Sequence, residues 1–102
     1  MKGKLVRDKI PQIILQKENK CPKTRILKAR EYKRELYKKL QEEVSEVLAA
    51  SKYKISEEVA DVEEVIDAIL ALHSISRKKV IELQAQKRKD RGGFKKRIYL
   101  IR

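Results

Sequence analysis

Apolar residues recur at helical spacing through most of this 102-residue chain, and that periodicity restricts it to a mostly α-helical fold. The strongest pattern runs from about Ala29 to Ala50, with Leu36, Leu40, Val44, Val47 and Leu48 on one stripe. Ser51 to Ile55 breaks it. Ser56 is then the expected N-cap of a second long helix carrying Val59, Val62, Val65, Ile66, Ile69 and Leu70. With so short a connection, the two helices are expected to form an antiparallel hairpin. A third stretch, from about Ser74 to Lys89, has Val80, Ile81 and Leu83 apolar, and Gly92-Gly93 ends it.

Before the hairpin, Arg7 to Gln16 predicts a brief helix with Pro11 in its first turn and an edge of Ile10, Ile13 and Ile14. Lys17 to Lys23, with Pro22, is a connection. Thr24 to Leu27 is a candidate short strand, and the β-prone tail Lys96 to Arg102 is a candidate partner for it. The expected architecture is a helical hairpin or bundle in a single domain spanning residues 1–102, assembled into an oligomer.

The oligomer is expected on grounds of size and composition. Hydrophobic residues make up 41% of the chain, yet it holds four Tyr, one Phe and no Trp, so the core must be largely aliphatic. A domain this small gains by burying further surface against copies of itself, which points to at least a dimer.

The formal charge of +12 suits a polyanionic partner such as nucleic acid, a membrane surface or phosphate groups, and a solvated lysine-rich surface accounts for it equally well. Charge interrupts every apolar stretch, so no segment is expected to span a bilayer. The start Met-Lys-Gly-Lys lacks a signal-like apolar region and Cys21 is the one cysteine, so a cytoplasmic location is expected.

Helical phase separates the acids. At about 100° per residue, Glu42 points away from the apolar stripe of its helix, whereas Glu43 lies about 60° from its middle. Glu46 lies further round on that flank, and Lys39 is one turn before Glu43. On the next helix Glu57, Glu64 and Asp67 fall on the polar side, Glu58 falls inside the apolar stripe and Asp61 just outside its edge. A carboxylate buried there must be protonated, paired with a cation or bound to a metal.

Glu43 with Glu46, and Glu58 with Asp61, each have i, i+3 spacing, which aims two carboxylates from successive turns toward one point, as in carboxylate metal sites of helical bundles. Oxygen-only ligands favour a hard cation, Mg²⁺ or Mn²⁺. The plainer account is that acids near a helix start are favoured by the helix dipole and that such spacing arises often in so charged a chain. His73 and Cys21 have no ligand spacing around them, and Tyr32, Tyr37 and Tyr53 sit where packing and base stacking are both open to them.

The chain resembles the MazG-type all-α nucleotide pyrophosphohydrolases, especially short members that begin Lys-Leu-Val-Arg-Asp-Lys-Ile-Pro, the segment present here as Lys4 to Pro11. The family pattern of two adjacent glutamates with a third three residues on, then Glu-x-x-Asp, is matched by Glu42-Glu43-Val44-Ser45-Glu46 and Glu58-Val59-Ala60-Asp61. The short members close on Arg-Gly-Gly-Phe before a β-like tail, as in Arg91-Gly92-Gly93-Phe94, although Asp90 stands where a basic residue is expected.

The resemblance implies hydrolysis of a nucleoside triphosphate, often noncanonical, to the monophosphate and pyrophosphate, in a homodimer or homotetramer using Mg²⁺. Glu43, Glu46, Glu58 and Asp61 would then be the catalytic metal ligands. Arg7, Lys9, Lys39 and Arg91 are the candidate substrate-binding cations, surface salt bridging being the alternative for Arg7, Lys9 and Arg91. Glu46 is a possible proton acceptor, but base and ligand are not separable by sequence. The rivals are phosphoribosyl-ATP pyrophosphohydrolysis at the same site and a basic nucleic-acid-binding helical module, for which the run Lys87-Arg88-Lys89 speaks.

Overall fold

The computed structural model describes residues 3–102, among which there are four α-helices and no strand: α1 (Ile10–Glu18), α2 (Ala29–Ala49), α3 (Ile55–Leu72) and α4 (Arg77–Arg91). The chain divides into two compact units, Met1–Ile69 and Leu70–Arg102.

In the first unit, a turn closed by the Ile10 N–H on the Arg7 carbonyl (3.1 Å) delays α1 to Ile10, three residues later than the sequence pattern suggests. Pro11 sits in its first turn, where a missing N–H costs nothing. The helix ends at Asn19, whose N–H still bonds the Leu15 carbonyl at 2.9 Å while its left-handed backbone (φ 53°) turns the chain out of the helix.

Helix α2 starts where expected, and Lys28 before it supplies no side-chain cap. Arg25 instead grips Glu31 in the first turn with two bonds of 3.3 and 2.9 Å. That carboxylate is favoured at the positive end of the helix.

Ser56 is not an N-cap. The turn in which Lys54 N–H bonds the Ser51 carbonyl (2.9 Å) runs directly into α3, and Glu58 N–H already bonds the Lys54 carbonyl (3.0 Å). Ser56 is therefore the second residue of the helix.

Helices α2 and α3 run antiparallel. Glu43 of α2 clusters with Glu58 and Asp61 of α3, while Leu36, two turns earlier, shares a groove with Val65 and Ala68 further along α3. Leu36 (3% exposed) and Val65 (8%) are the buried apolar residues of this hairpin. A centre that small leaves Val44, Leu48, Tyr53, Ile55 and Val59 exposed around the interhelical turn.

In the second unit, α4 begins three residues later than the pattern suggests, because Ser74 adopts a left-handed backbone (φ 56°). Ser76 is its N-cap, with Oγ accepting from the Lys79 N–H at 3.1 Å. The helix continues two residues past Lys89 and stops at Gly92, whose φ of 81° suits a residue without a Cβ.

Neither Thr24–Leu27 nor the tail 96–102 is a strand. β-Propensity alone does not order a segment without a ladder partner, and Ile26 and Ile98 to Ile101 remain largely exposed. No helix of the described residues is long and apolar enough to cross a membrane.

Candidate carboxylate site

One side of the α2–α3 hairpin gathers acids that the helical phase had set apart from their neighbours. Glu43, Glu58 and Asp61 each offer a carboxylate oxygen within 4.8 Å of the others, and all three are half-buried. Their neighbours face water: Glu42 pairs with Lys39 at 3.5 Å, and Glu57 with Lys54 at 3.4 Å.

Crowding shows in the Glu58 carboxyl, whose pKa is raised, first by desolvation and then by the charges of Asp61, Glu46, Glu43 and Glu57. Glu46 is exposed and stands outside the three-oxygen cluster, yet it lies near enough to contribute to this field. The helix phase had already put it further round the flank than Glu43.

Two cations meet the cluster. Lys39 Nζ lies 3.7 Å from Glu43 Oε1 in the best shielded of the ion pairs here, the side chains being 19% and 14% exposed. The i, i+4 spacing on α2 makes this contact local. Arg7 arrives from the segment before α1, and its Nη2 donates to Asp61 Oδ1 at 2.7 Å.

Beside these charges runs a groove of about 530 Å³, within the size range of small-molecule sites. Ile10, Ile13, Tyr32, Leu36, Val65 and Ala68 supply its apolar wall, and Arg7, Lys9, Lys39, Glu43 and Asp61 supply charge. Lys9 is the residue directly before α1, and it is exposed. Arg91, exposed at the last turn of α4, belongs to the second unit.

Asp8 and Glu64 also line the groove, although nothing singled them out in the sequence. Asp8 lay inside the segment already noticed. Glu64 sits on the polar side of α3, as its phase predicts, and is exposed.

The donor set can be weighed against a hard cation. Octahedral Mg²⁺ holds oxygens at about 2.1 Å, so opposed ligands are about 4.2 Å apart. Carboxylates within 4.8 Å of one another need only small side-chain rotations to meet that span. Three mutually repelling carboxylates, one with a raised pKa, are also the arrangement that a cation would relieve. Compared with protein-family models, curated proteins and solved structures, the chain matches none.

Proposed function

We propose that the protein is a nucleotide pyrophosphohydrolase dependent on Mg²⁺ or Mn²⁺, cleaving a nucleoside triphosphate, noncanonical ones included, to the monophosphate and pyrophosphate. The observation that carries this reading is the convergence of Glu43, Glu58 and Asp61 beside a groove that also receives Arg7 and Lys39. The reaction itself is carried over from the sequence resemblance.

Glu43, Glu58 and Asp61 would hold the metal, with Glu46 at the margin. When bound, such an ion supplies charge neutralisation at phosphate oxygens and a more acidic water. The protein's own groups do the rest. Arg7 and Lys39 stabilise phosphate charge, exchanging a carboxylate partner for a phosphate one, and Lys9 offers a further cation at the groove.

Arg91 stands as a phosphate ligand on the resemblance alone. Glu46, outside the cluster, is the carboxylate left to take the proton of the attacking water. The apolar wall around Tyr32 and Leu36 suits a base and sugar.

The working form is taken to be a cytoplasmic homodimer or homotetramer. Support for assembly comes from the apolar residues around the hairpin turn, among them Leu48 and Tyr53, each 83% exposed. Pairing of the β-prone tail belongs to the same proposal, since a second copy can supply the missing ladder partner.

The test is pyrophosphate release with Mg²⁺ over standard and noncanonical nucleoside triphosphates and phosphoribosyl-ATP. Glu43→Gln and Asp61→Asn are expected to abolish it. Failure of the wild type on every substrate, or full activity in both variants, would overturn the reading. Exclusive use of phosphoribosyl-ATP would keep the site and change the substrate.

A further inference from the structure

Basic charge is concentrated at one end of the chain. Residues 70–102 carry eleven Lys and Arg against two acids, whereas residues 1–69 carry sixteen against thirteen, so a third of the chain holds +9 of the net +12. Within this unit the charge is available. Every residue from Ile81 to Arg91 is exposed, and among the described residues no ion pair engages the cations of the 87–91 and 95–97 runs. Asp90 is occupied by the Gln86 side-chain amide at 3.0 and 3.1 Å.

Lys87, Arg88 and Arg91 fall within an arc of about 100° on α4, giving one basic edge. Beyond Gly92 the chain makes a turn closed by the Arg97 N–H on the Phe94 carbonyl at 3.0 Å, with Arg97 in a left-handed conformation (φ 56°). Lys95 and Lys96 form its tip. Phe94 is 96% exposed and Tyr99 is 88% exposed, so two rings flank three consecutive cations with nothing covering either ring.

We propose that residues 87–99 form a binding site for a single-stranded polynucleotide, the cations neutralising successive phosphates while Phe94 and Tyr99 stack on bases. Stacking platforms interleaved with cations are what sequence-tolerant single-strand binding requires. A duplex would satisfy the cations but keep its base faces from the rings. A membrane surface calls for apolar and basic residues on opposite faces of a helix, and on α4 Val80, Ile81, Leu83 and Ala85 are scattered among the cations instead. The proposed hydrolysis draws its carboxylates, Arg7, Lys9 and Lys39 from the first unit and shares with this site only Arg91, which it holds on the sequence resemblance alone.

The test is fluorescence anisotropy of the full chain with labelled oligo-dT and oligo-U of about fifteen nucleotides. A matched duplex and vesicles of phosphatidylglycerol with phosphatidylcholine form the comparison arms. Single strands of either sugar should bind, with log affinity falling against log salt at a slope of about −3.5 if roughly five phosphates are neutralised. Phe94→Ala and Phe94→Leu should each weaken binding about five-fold or more at unchanged slope. Lys95→Glu with Lys96→Glu should weaken binding and flatten the slope.

Circular dichroism should find all of these variants as helical as the wild type, and Glu43→Gln should bind normally while losing any hydrolysis. Absence of single-strand binding at low salt would overturn the proposal. So would duplex binding as tight as single-strand binding with both Phe94 variants unaffected, or binding to vesicles alone.

Discussion

Arg7 Nη2 donates to Asp61 Oδ1 at 2.7 Å and joins the segment before α1 to α3 across fifty-four positions of sequence. Both side chains are partly exposed, at 57% and 42%, so the pair should add at most about 1 kcal/mol to stability. Its value to the proposed reaction is positional, since it holds a guanidinium beside the carboxylate cluster. Arg7→Ala is therefore expected to leave urea denaturation nearly unchanged while lowering pyrophosphate release about ten-fold or more. A fall in stability that accounted for all the lost activity would assign Arg7 a structural role only.

Glu58 gives a prediction in the absence of metal. Desolvation and its acidic neighbours raise its pKa above the unfolded value, so the folded chain holds this proton more tightly. The resulting stability is fully present below the unfolded Glu pKa and is lost as pH rises through the folded one. In EDTA, Glu58→Gln should remove that decline and be the more stable protein at neutral pH, as chemical denaturation at several pH values would show. A Glu58→Gln variant that is less stable at pH 7 would contradict the crowding described here.

Added Mg²⁺ or Mn²⁺ should reverse the order. At several times its Kd, a cation bound by the cluster would raise the wild-type melting midpoint by about 5 °C. Glu58→Gln and Asp61→Asn should each lose most of that shift. Equal shifts in wild type and both variants would place any bound metal elsewhere.

Glu31 supplies the opposite pH dependence. Its hydrogen bonds from Arg25 hold the carboxyl below the ordinary value, so its contribution is present above the unfolded Glu pKa and is lost as pH falls through the lowered folded pKa. Arg25→Gln should flatten this acid limb of the stability profile without altering the decline with rising pH attributed to Glu58. The check is the same titration, followed by helical circular dichroism below pH 5.

Burial separates two leucines on α2. Leu36, 3% exposed, should cost about 2–5 kcal/mol on mutation to Ala, a large part of the 5–15 kcal/mol typical of a domain. Leu48, 83% exposed, should matter to a single chain very little. If copies associate through the hairpin-turn end, Leu48→Glu should shift sedimentation toward the monomer. Unchanged sedimentation would remove that end from any interface.

Much of the site could be read from the sequence because helix phase is local. Counting 100° per residue separates Glu43 from Glu42 and Glu58 from Glu57, and exposure in the folded chain follows the same division. Lys39 was equally legible, being one turn from Glu43 on the same helix. The stop at Gly92 and the placement of Pro11 in the first turn of α1 are also local, set by backbone freedom and by a missing donor, whereas the start of α1 at Ile10 depends on the turn before it.

Capping was less legible, because Ser56 and Ser76 look alike in sequence and only the second caps a helix. The choice depends on how the preceding turn closes, and the Ser51–Lys54 turn carries α3 past Ser56 before its hydroxyl can cap. A strand is undecidable for the same kind of reason. Its propensity lies in the segment, but its existence lies in a partner.

The sequence by itself determined the four helices and the stop at Gly92, since these depend on neighbours within a few positions. It did not determine how much of each apolar stripe is covered: Leu36 and Val65 are buried while Val44, Leu48 and Val59 stay exposed. Tertiary structure decided which acids share a centre. The offset between α2 and α3 brings Glu43 to Glu58 and Asp61 while leaving Glu46 outside, and the path of the chain before α1 brings Arg7 to Asp61. Those outcomes depend on how far one helix slides along another and where a connection leads, neither of which a local repeat encodes.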